Sequence, residues 1–178
     1  VSFHSDKIKK AKADLACFEK RVERDKEGNP INKLVIKGVE DSTDIKVIAA
    51  RLHEIEEKAR TNGEYNQIGE LYGFSVMVKT ESSSQNLFDL SVNRFSVKGE
   101  GSIYYTHNNG KLANDPKLAC LNFFNALERI PKVIESHEKE IAKVSANKEV
   151  YTAIANSSWK KEEELRALKG EAAELDRK

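Results

Sequence analysis

The sequence predicts an α+β fold in which long helices with heptad-like seams flank a small antiparallel β-meander. Apolar residues step by three and four along both ends of the chain, which is the period of helices that pack along one stripe. Residues 65–110 lose that period and alternate apolar with polar side chains, as half-buried strands do. One structural domain in three segments is therefore expected: an N-terminal helical arm with a short strand and a second helix (1–62), the β-meander (63–114) and a C-terminal helical arm (115–178).

The composition is that of a folded chain with no bias toward one class of ligand. Of 178 residues, 39% are hydrophobic and 33% are charged, which is typical of a protein with a packed core. No apolar run approaches the roughly 20 residues of a membrane span, and no signal peptide is present, so we expect a cytoplasmic chain without a membrane partner. The 30 basic and 29 acidic residues nearly cancel, which excludes a global basic field.

The N-terminal arm is expected to hold a helix, a short strand and a second helix. The first helix runs from about Ser5 to Lys26, and Gly28-Asn29-Pro30 ends it because neither glycine nor proline continues a helix. Its seam is Ile8, Ala11, Leu15, Phe18 and Val22. The strand is Leu34–Ile36, and the second helix is capped by Asp41, Ser42 or Thr43 and reaches about Arg60.

The meander is expected to contain at least three strands. Phe74, Val76 and Val78 alternate with polar neighbours, so one face of their strand is buried. A polar loop is expected over Glu81–Asn86, followed by strands within Leu87–Val97 and Ser102–His107, with the glycine-containing stretch 98–101 between them.

The C-terminal arm begins at a strong helix start, Asn114-Asp115-Pro116, and runs to about Val144. Pro131 lies inside this apolar pattern, which predicts a kink or a break into two helices. A shorter helical piece is expected over Lys148–Ala155, before a last helix capped by Ser157 or Ser158. That helix has the seam Leu165, Leu168, Ala172 and Leu175, and antiparallel pairing with the first or third helix would bury it.

No constellation of catalytic residues is recognisable, so neither catalysis nor a cofactor is expected in this segment. A phosphate-binding glycine loop is missing, and Gly99-x-Gly101 lacks the third glycine of a dinucleotide site. His137-Glu138 lacks the second histidine of a zinc protease, and no cysteine pair has metal-binding spacing. Asn114-Asp115-Pro116 has the wrong order for an adenine methylase motif, and a helix cap accounts for it.

Three residue types leave alternatives open. Cys17 and Cys120 are interpreted as two reduced thiols, with a disulfide between them as the alternative. His137 occupies a seam position, where a neutral, hydrogen-bonded histidine is the ordinary interpretation and a metal or proton-transfer role is the other. Trp159 at a helix start is interpreted as packing against a neighbouring helix rather than as stacking on a base.

The only part of the sequence with binding character is the end of the meander. Aromatic side chains interleaved with cations and amides can stack on bases and hold phosphates. The alternative is a structural sheet with half-buried tyrosines and a polar turn, because residues 63–114 carry four cations against five anions. The candidate DNA-binding residues are Arg94, Lys98, Tyr104, Tyr105, His107, Asn108, Asn109 and Lys111, together with Lys9 and Lys12 of the first helix.

The lysines at the start of the first helix oppose the helix dipole, which favours acidic groups at that end. Lys7, Lys9, Lys10 and Lys12 either contact a partner or lie inside a helix that begins upstream. The chain also begins with Val1 and continues its helical seam to the last residues. We therefore expect it to be part of a longer polypeptide.

Several motifs together resemble one known family. They are Ile68-Gly69-x-Leu71-x-Gly73-Phe74, Asn93-Arg94-Phe95-x-Val97-x-Gly99-Glu100-Gly101, Asn109-Gly110-x-x-Ala113-Asn114-Asp115-Pro116-Lys117-Leu118, Phe123-Phe124-Asn125-Ala126-Leu127-Glu128-x-Ile130-Pro131 and Trp159-Lys160-x-Glu162-Glu163-Glu164-Leu165. Over about residues 45–178 the chain resembles the C-terminal region of the large DNA methylase/helicase polypeptides of Bacteroides-type conjugative elements.

The resemblance implies a parent protein with an adenine-specific methylase and a Swi/Snf-like helicase upstream, whose catalytic residues are not in this sequence. The segment would then be a non-catalytic accessory domain that assists DNA binding. The alternative is a structural or protein-interaction module that packs against other domains of the parent or self-associates. The expected partners are accordingly DNA, other domains of the parent polypeptide and a second copy in a homodimer.

Overall fold

The structure is a computed structural model that describes residues 2–83 and 90–175. The fold is α+β, which confirms the predicted class: one antiparallel sheet is combined with long helices. The elements are α1 (Ser2–Arg21), β1 (Val35–Ile36), α2 (Ile45–Lys58), β2 (Tyr65–Leu71), β3 (Phe74–Ser83), β4 (Leu90–Lys98), β5 (Tyr104–Tyr105), a 3₁₀ turn (Asn108–Gly110), α3 (Pro116–Glu128) and α4 (Ile130–Leu175).

The five strands form a meander in the order β1-β2-β3-β4-β5, and every neighbouring pair is antiparallel. The alternation of polar and apolar residues did not single out β2 as a strand. Its pairing with β3 shifts register between Gln67 and Gly69, and the β-bulge leaves Ile68 and Gly69 both buried. A bulge inserts one residue into the strand and so interrupts the alternation from which a strand is recognised.

The strand bounds differ from the expected ones at the tip of the meander. Glu81–Ser83 continue β3 and pair with β4, so the expected polar loop is wrong for these residues. The remainder of that loop and residues 87–89 of the next expected strand lie outside the described residues. Of the expected strand Ser102–His107 only Tyr104–Tyr105 pair, and a 3₁₀ turn follows.

One hydrophobic cluster draws on the N-terminal arm, the meander and the C-terminal arm. Phe74, Val76 and Val78 of β3 and Phe95 and Val97 of β4 form the inner face of the sheet. Helices α1, α2, α3 and the beginning of α4 contribute to the same cluster, in which Ala11, Leu52, Leu127 and Ile130 have no exposed surface.

Helix α1 ends five residues earlier than expected, at Arg21, because a local turn replaces its last part. The Asp25 carboxylate accepts hydrogen bonds from the backbone N–H groups of Glu27 and Asn29, and Arg24 bridges to Pro30. An aspartate that bonds backbone groups two and four residues ahead favours a turn over a helix. The predicted seam of α1 is confirmed, since Ala11 and Phe18 are buried.

Helix α2 begins at Ile45 with Asp44 as its N-cap, one residue beyond the expected caps. Its last turn is held by a side chain of the sheet. The Asn93 amide donates to the carbonyl oxygens of Glu56 (2.6 Å) and Ala59 (3.1 Å). Asn93 in turn accepts a hydrogen bond from the Thr80 hydroxyl at 2.6 Å, and Thr80 and Thr61 exchange backbone-to-hydroxyl bonds. The buried polar groups at this end of α2 are therefore paired.

The predicted break near Pro131 is confirmed. Asp115 caps α3, which ends at Glu128, and Arg129 separates it from α4. Pro131 is the second residue of α4, where the missing N–H costs no hydrogen bond. The expected separate helices at 148–155 and after Ser157 or Ser158 are wrong, because α4 continues without interruption for 46 residues. Serine alone does not end a helix, and the hydroxyl of Ser157 bonds back to the Ile154 carbonyl.

Helices α1 and α4 pack antiparallel, but only along the first three turns of α4. His137 of α4 is hydrogen-bonded to His4, with 2.9 Å between their Nδ1 atoms. Past the C-terminal end of α1, Arg24 pairs with Glu128, the last residue of α3. The expected burial of the terminal seam is wrong within the chain, since Leu165 and Leu168 are 53% and 62% exposed. The seam packed on α1 lies earlier in α4, at Ile130, Ile134 and His137.

Both cysteines are free thiols, so the disulfide alternative is wrong. Cys120 is buried beside the start of α2, and its Sγ approaches the Ile45 carbonyl oxygen at 3.8 Å. Burial raises the pKa of the Cys120 thiol to about 11, which keeps it protonated at neutral pH.

Candidate nucleic-acid interface

The outer face of the sheet is formed by the side chains that alternate with the buried ones. Residues paired directly across two antiparallel strands project from the same face. The pairs Tyr65–Lys79, Lys79–Arg94, Met77–Ser96, Ser75–Lys98 and Lys98–Tyr104 therefore place two tyrosines and three cations on one face. We call this surface the outer face; its aromatic and cationic members are Tyr65, Lys79, Arg94, Lys98 and Tyr104.

Two tyrosines meet across the middle of the outer face. Tyr65 comes from β2 and Tyr104 from β5, and β3 and β4 lie between these strands. Their rings stack with 3.8 Å between centroids and an interplanar angle of 12°. The rings thus bridge the two central strands, where Met77 and Ser96 are buried. Tyr65 keeps 37% of its surface exposed, so the pair presents aromatic area to solvent.

Cations surround this tyrosine pair. The Lys79 ammonium lies 5.1 Å from the centroid of the Tyr65 ring, within the range of a cation–π contact. Arg94 pairs across the ladder with Lys79, and its Nε lies 3.8 Å from a Glu81 carboxylate oxygen. Lys98 pairs across the ladder with Tyr104. The two tyrosines accordingly sit within a group of three positive side chains.

Acidic side chains moderate this positive charge. Glu81 and Glu70 occupy outer-face positions of β3 and β2, at the ends of the group. Three cations against two carboxylates give the face a small positive excess, concentrated toward Lys79 and Lys98. The Glu81 contact with Arg94 at 3.8 Å is long and half-exposed, which makes it weak.

The 3₁₀ turn lies along the free edge of β4. Asn108 and Asn109 have positive φ values of 49° and 53°, which asparagine tolerates better than most residues, and both are exposed. Gly110 packs so closely on β4 that a Cβ there would lie 2.7 Å from the Phe95 carbonyl oxygen. The turn thereby places Asn108, Asn109 and the exposed Lys111 beside the strand that carries Arg94.

A small cavity lies where the turn, β4 and α3 meet. It has a volume of about 20 Å³ and is lined by Ser96, His107 and Lys111, among others. The Ser96 hydroxyl and His107 Nδ1 are buried and make no hydrogen bond with the described residues, as is also true of Arg94 Nη1. A volume of this size holds one water molecule. His107 therefore faces the interior of the turn rather than the outer face.

Tyr105 is not available to a ligand, which corrects its place among the candidate residues. It is 2% exposed on the inner face of the sheet, and its hydroxyl donates to Oδ2 of Asp14 at 2.7 Å. Asp14 also accepts from the Gly101 backbone N–H at 3.0 Å. Burial, together with the hydrogen bond that the hydroxyl donates to Asp14, raises the pKa of Tyr105 far above its usual value. The tyrosine therefore has a structural role.

Lys9 and Lys12 lie apart from the outer face, on a helix that packs against the loop before β5 and against α4. Lys9 is exposed, and the Lys12 ammonium lies 3.4 Å from a Glu138 carboxylate of α4. The candidate residues therefore divide into Arg94, Lys98 and Tyr104 on the outer face, a neighbouring turn, a buried Tyr105 and two separate lysines on α1.

Tyr65 and Lys79 were missing from the candidate residues. Phe74, Val76 and Val78 point to the inner face, and Lys79 directly follows Val78. Alternation alone therefore places Lys79 on the outer face. Tyr65 could not be placed in the same way, because the β-bulge of β2 lies between it and the strand end. Tyr65 meets Tyr104 because of the order in which the strands pair, and this order is a property of the whole sheet.

In residues 2–83 and 90–175, histidine, cysteine, aspartate and glutamate side chains form no group of three or more that could hold a metal ion. Within the same ranges, each helix is too short or too polar to cross a membrane.

Comparison with known proteins places the sheet within a family. Neither curated proteins nor solved structures give a significant match to the chain. The model of one protein family, described as a domain of unknown function (DUF8438), matches residues 19–127. This range contains all five strands, α2 and almost all of α3, and every residue of the outer face. Because the match covers more than half of the 178 residues, the chain belongs to the DUF8438 family of domains of unknown function.

Proposed function

We propose that the chain is a non-catalytic, cytoplasmic accessory domain that contacts DNA through the outer face. The observation that carries this proposal is the stacked pair Tyr65–Tyr104 within the cations Lys79, Arg94 and Lys98. Aromatic rings bind bases of any sequence through their π-faces, and cations near them hold the phosphates. Together they form a small nucleic-acid binding surface without base-specific readout.

Single-stranded DNA is the form that fits this surface best. Its bases are free to leave their neighbours and stack on a protein ring, whereas the faces of paired bases in a duplex are covered. In its described residues the outer face consists of strands, and so it offers no helix to a major groove. A displaced or unpaired strand would lie across β3 and β4, with its phosphates near Lys79 and Lys98.

The resemblance to large DNA methylase/helicase polypeptides of conjugative elements supplies a context for this binding. A helicase or methylase that opens a duplex exposes a strand next to its catalytic domain. An accessory domain with a sequence-tolerant surface would hold that strand and thereby assist the catalytic domain. In this context the segment needs no active site of its own.

The proposal is tested by titrating the full chain into labelled single-stranded, duplex and forked DNA while fluorescence anisotropy is measured at several salt concentrations. Each phosphate contact in single-stranded DNA contributes about 0.7 to the slope of log K against log salt. The double substitution Lys79→Ala/Lys98→Ala should therefore weaken binding and lower this slope by about 1.4. Arg94 is kept because its buried Nη1 makes a packing change difficult to separate from a charge change.

A matched control removes two positive charges elsewhere. Lys46 of α2 and Lys117 of α3 are exposed, and Lys46→Ala/Lys117→Ala should leave the affinity unchanged. A third variant, Lys9→Ala/Lys12→Ala, determines whether α1 contributes. Equal losses in the outer-face and control variants, or absence of binding at low salt, would exclude the outer face as a DNA site.

The second candidate function is a structural or protein-interaction module, and the observation that favours it is the exposed half of α4. Tyr151, Ile154, Leu165 and Leu168 are each more than half exposed on this helix. Exposed apolar residues that recur along one helix are typical of a surface that binds another helix. The two functions use different surfaces and are compatible in one protein.

A further inference from the structure

The outer part of α4, residues 142–173, is a helix with an apolar stripe on which no other described residue is packed. Each side chain whose burial is described there is exposed, Tyr151 by 71% and Ile154 by 58%. Helices in proteins gain most of their stability from packing one face against another element. This part of α4 is about 48 Å long at 1.5 Å per residue. We therefore expect another helix or sheet to pack against its apolar stripe.

The stripe has the spacing of a coiled-coil seam and continues an interface that is already formed. Ile130 and His137, which pack toward α1, lie fourteen and seven residues before Val144, and the same seven-residue step continues. Apolar residues at this step, and three residues after it, form a left-handed seam suited to one further helix. The apolar members of the stripe are Val144, Tyr151, Ile154, Leu165, Leu168 and Ala172.

We propose that this stripe binds the same stripe of a second copy of the chain, as an antiparallel two-stranded coiled coil. The two-fold axis passes between Trp159 and Lys160. Positions whose numbers add to 319 then lie at the same level, so Tyr151 meets Leu168 of the second copy and Ile154 meets Leu165. Each contact occurs twice because a two-fold interface is self-complementary. Tyr151, Ile154, Leu165 and Leu168 thus find apolar partners on both sides of the axis, whereas Ala172 lies level with Asn147.

The polar positions of the stripe decide between the two orientations. Lys161 is a charged residue in the seam. Parallel, in-register helices would bring Lys161 against Lys161 and the acidic run 162–164 against itself. The antiparallel register places Lys161 level with position 158 and one turn from Glu162 of the second copy. Opposite charges thereby approach across the axis, and like charges directly opposed in the seam are avoided.

This pairing leaves the outer face of the sheet uncovered and does not depend on DNA binding. Trp159 lies outside the stripe and serves as a control position on the same helix. An apolar side chain within the stripe should be essential for association, whereas Trp159 should not be. The dimer would carry one sheet at each end of a shared rod of helices.

The association is tested on the full chain by sedimentation equilibrium between micromolar and millimolar concentrations. We expect a mass that doubles reversibly with concentration. Leu165→Asp should raise the dissociation constant at least about 100-fold, since each substitution is present twice in the dimer. Trp159→Asp, which makes the same kind of change off the stripe, should leave the constant unchanged. The mass of a monomer at all concentrations, or equal effects of the two substitutions, would overturn the proposal.

The orientation is tested by disulfide exchange in a Cys17→Ser background, in which the remaining Cys120 is buried. Ile154→Cys and Leu165→Cys chains are mixed and oxidised gently. Antiparallel pairing predicts a crosslink between the two different chains in preference to crosslinks between identical ones. A preference for crosslinks between two copies of the same variant would show a parallel pair and overturn the proposed register.

Discussion

Asp14 of α1 and Tyr105 of β5 are hydrogen-bonded inside the core, 91 residues apart in the chain, with 2.7 Å between carboxylate and hydroxyl oxygen. Asp14 has no exposed surface, and its second oxygen accepts the Gly101 N–H. A buried acidic group at this place joins the first helix to the hairpin that leads into β5. It is the only link of this kind between α1 and the sheet among the described side-chain pairs with both partners buried.

Removal of the Asp14 carboxylate should destabilise the protein substantially. Asp14→Ala leaves the Tyr105 hydroxyl and the Gly101 N–H without their acceptor in a buried place, at a cost of about 2–4 kcal/mol in the free energy of unfolding. Calorimetry measures the change. Asp6→Ala on the same helix removes an exposed carboxylate beside Lys10 and should change the free energy of unfolding far less. Similar costs for both would contradict the role given to Asp14.

Glycine is required at position 99 for the same reason. A Cβ at this position would lie 2.1 Å from Oδ2 of Asp14, so Gly99→Ala must displace either the hairpin or α1. We expect a loss of about 2 kcal/mol or more in the free energy of unfolding. Gly170→Ala on α4 meets no atom within 4 Å and should be neutral or stabilise the helix by up to about 1 kcal/mol. Thermal unfolding of the two variants provides the comparison.

Stability should fall in alkaline solution because two buried groups resist losing their protons. The pKa of Cys120 rises from 9.0 to about 11, and that of Tyr105 is raised above 10.0. Above pH 9 the unfolded chain releases protons that the folded chain retains, so the unfolded state gains stability as pH rises. Denaturant unfolding at pH 8, 9, 10 and 11 tests this. Cys120→Ala should remove the loss of stability that occurs between pH 9 and 11. An unchanged dependence of stability on pH in this variant would exclude the thiol as the cause of that loss.

The buried polar pairs at the end of α2 should stabilise that helix end specifically. Asn93→Ala leaves the carbonyl groups of Glu56 and Ala59 without the Asn93 amide, and leaves the Thr80 hydroxyl only its longer contact with the Ala59 carbonyl at 3.4 Å. We expect a loss of about 2–3 kcal/mol and faster amide hydrogen exchange in the last turn of α2. Ser91→Ala, at an exposed position of the same strand, is the control and should leave exchange in α2 unchanged.

Removal of the outer part of α4 should leave the core intact. A chain ending at Ala142 retains every residue of the hydrophobic cluster, the last of which is Ile134. Its unfolding temperature at low protein concentration should therefore stay within about 4 °C of the full chain. A larger fall would mean that residues beyond 142 stabilise the core through contacts within one copy.

Periodicity predicted the elements that follow a single rule and failed where a second rule intervened. The seam of α1 and the break before Pro131 are confirmed because helical spacing and proline geometry act locally. The strand β2 was not predicted because its bulge interrupts the alternation. The predicted α1 was too long because the Asp25 turn competes with the helix. The burial of Asp14 could not be predicted, since an acidic residue in an apolar stripe is expected at the surface until its partners are known.

The candidate site was predictable in part for similar reasons. Lys98, Tyr104 and Arg94 fall on one face by alternation along β4 and across its ladder. Tyr105 follows Tyr104 directly and must therefore point to the other face, so the two tyrosines could not both be available. The contact between Tyr65 and Tyr104 depends on the order of five strands, which no local pattern contains.

The position of Trp159 has a consequence for spectroscopy. It is the only tryptophan of the chain and is 66% exposed on the projecting part of α4. Its indole is already hydrated in the native state, so its emission will change little when the core unfolds and will instead report fraying of α4. An unfolding curve recorded from tryptophan fluorescence would therefore assign the wrong midpoint to this protein. The tyrosines carry the optical signal of the core, since Tyr72 and Tyr105 are buried within it.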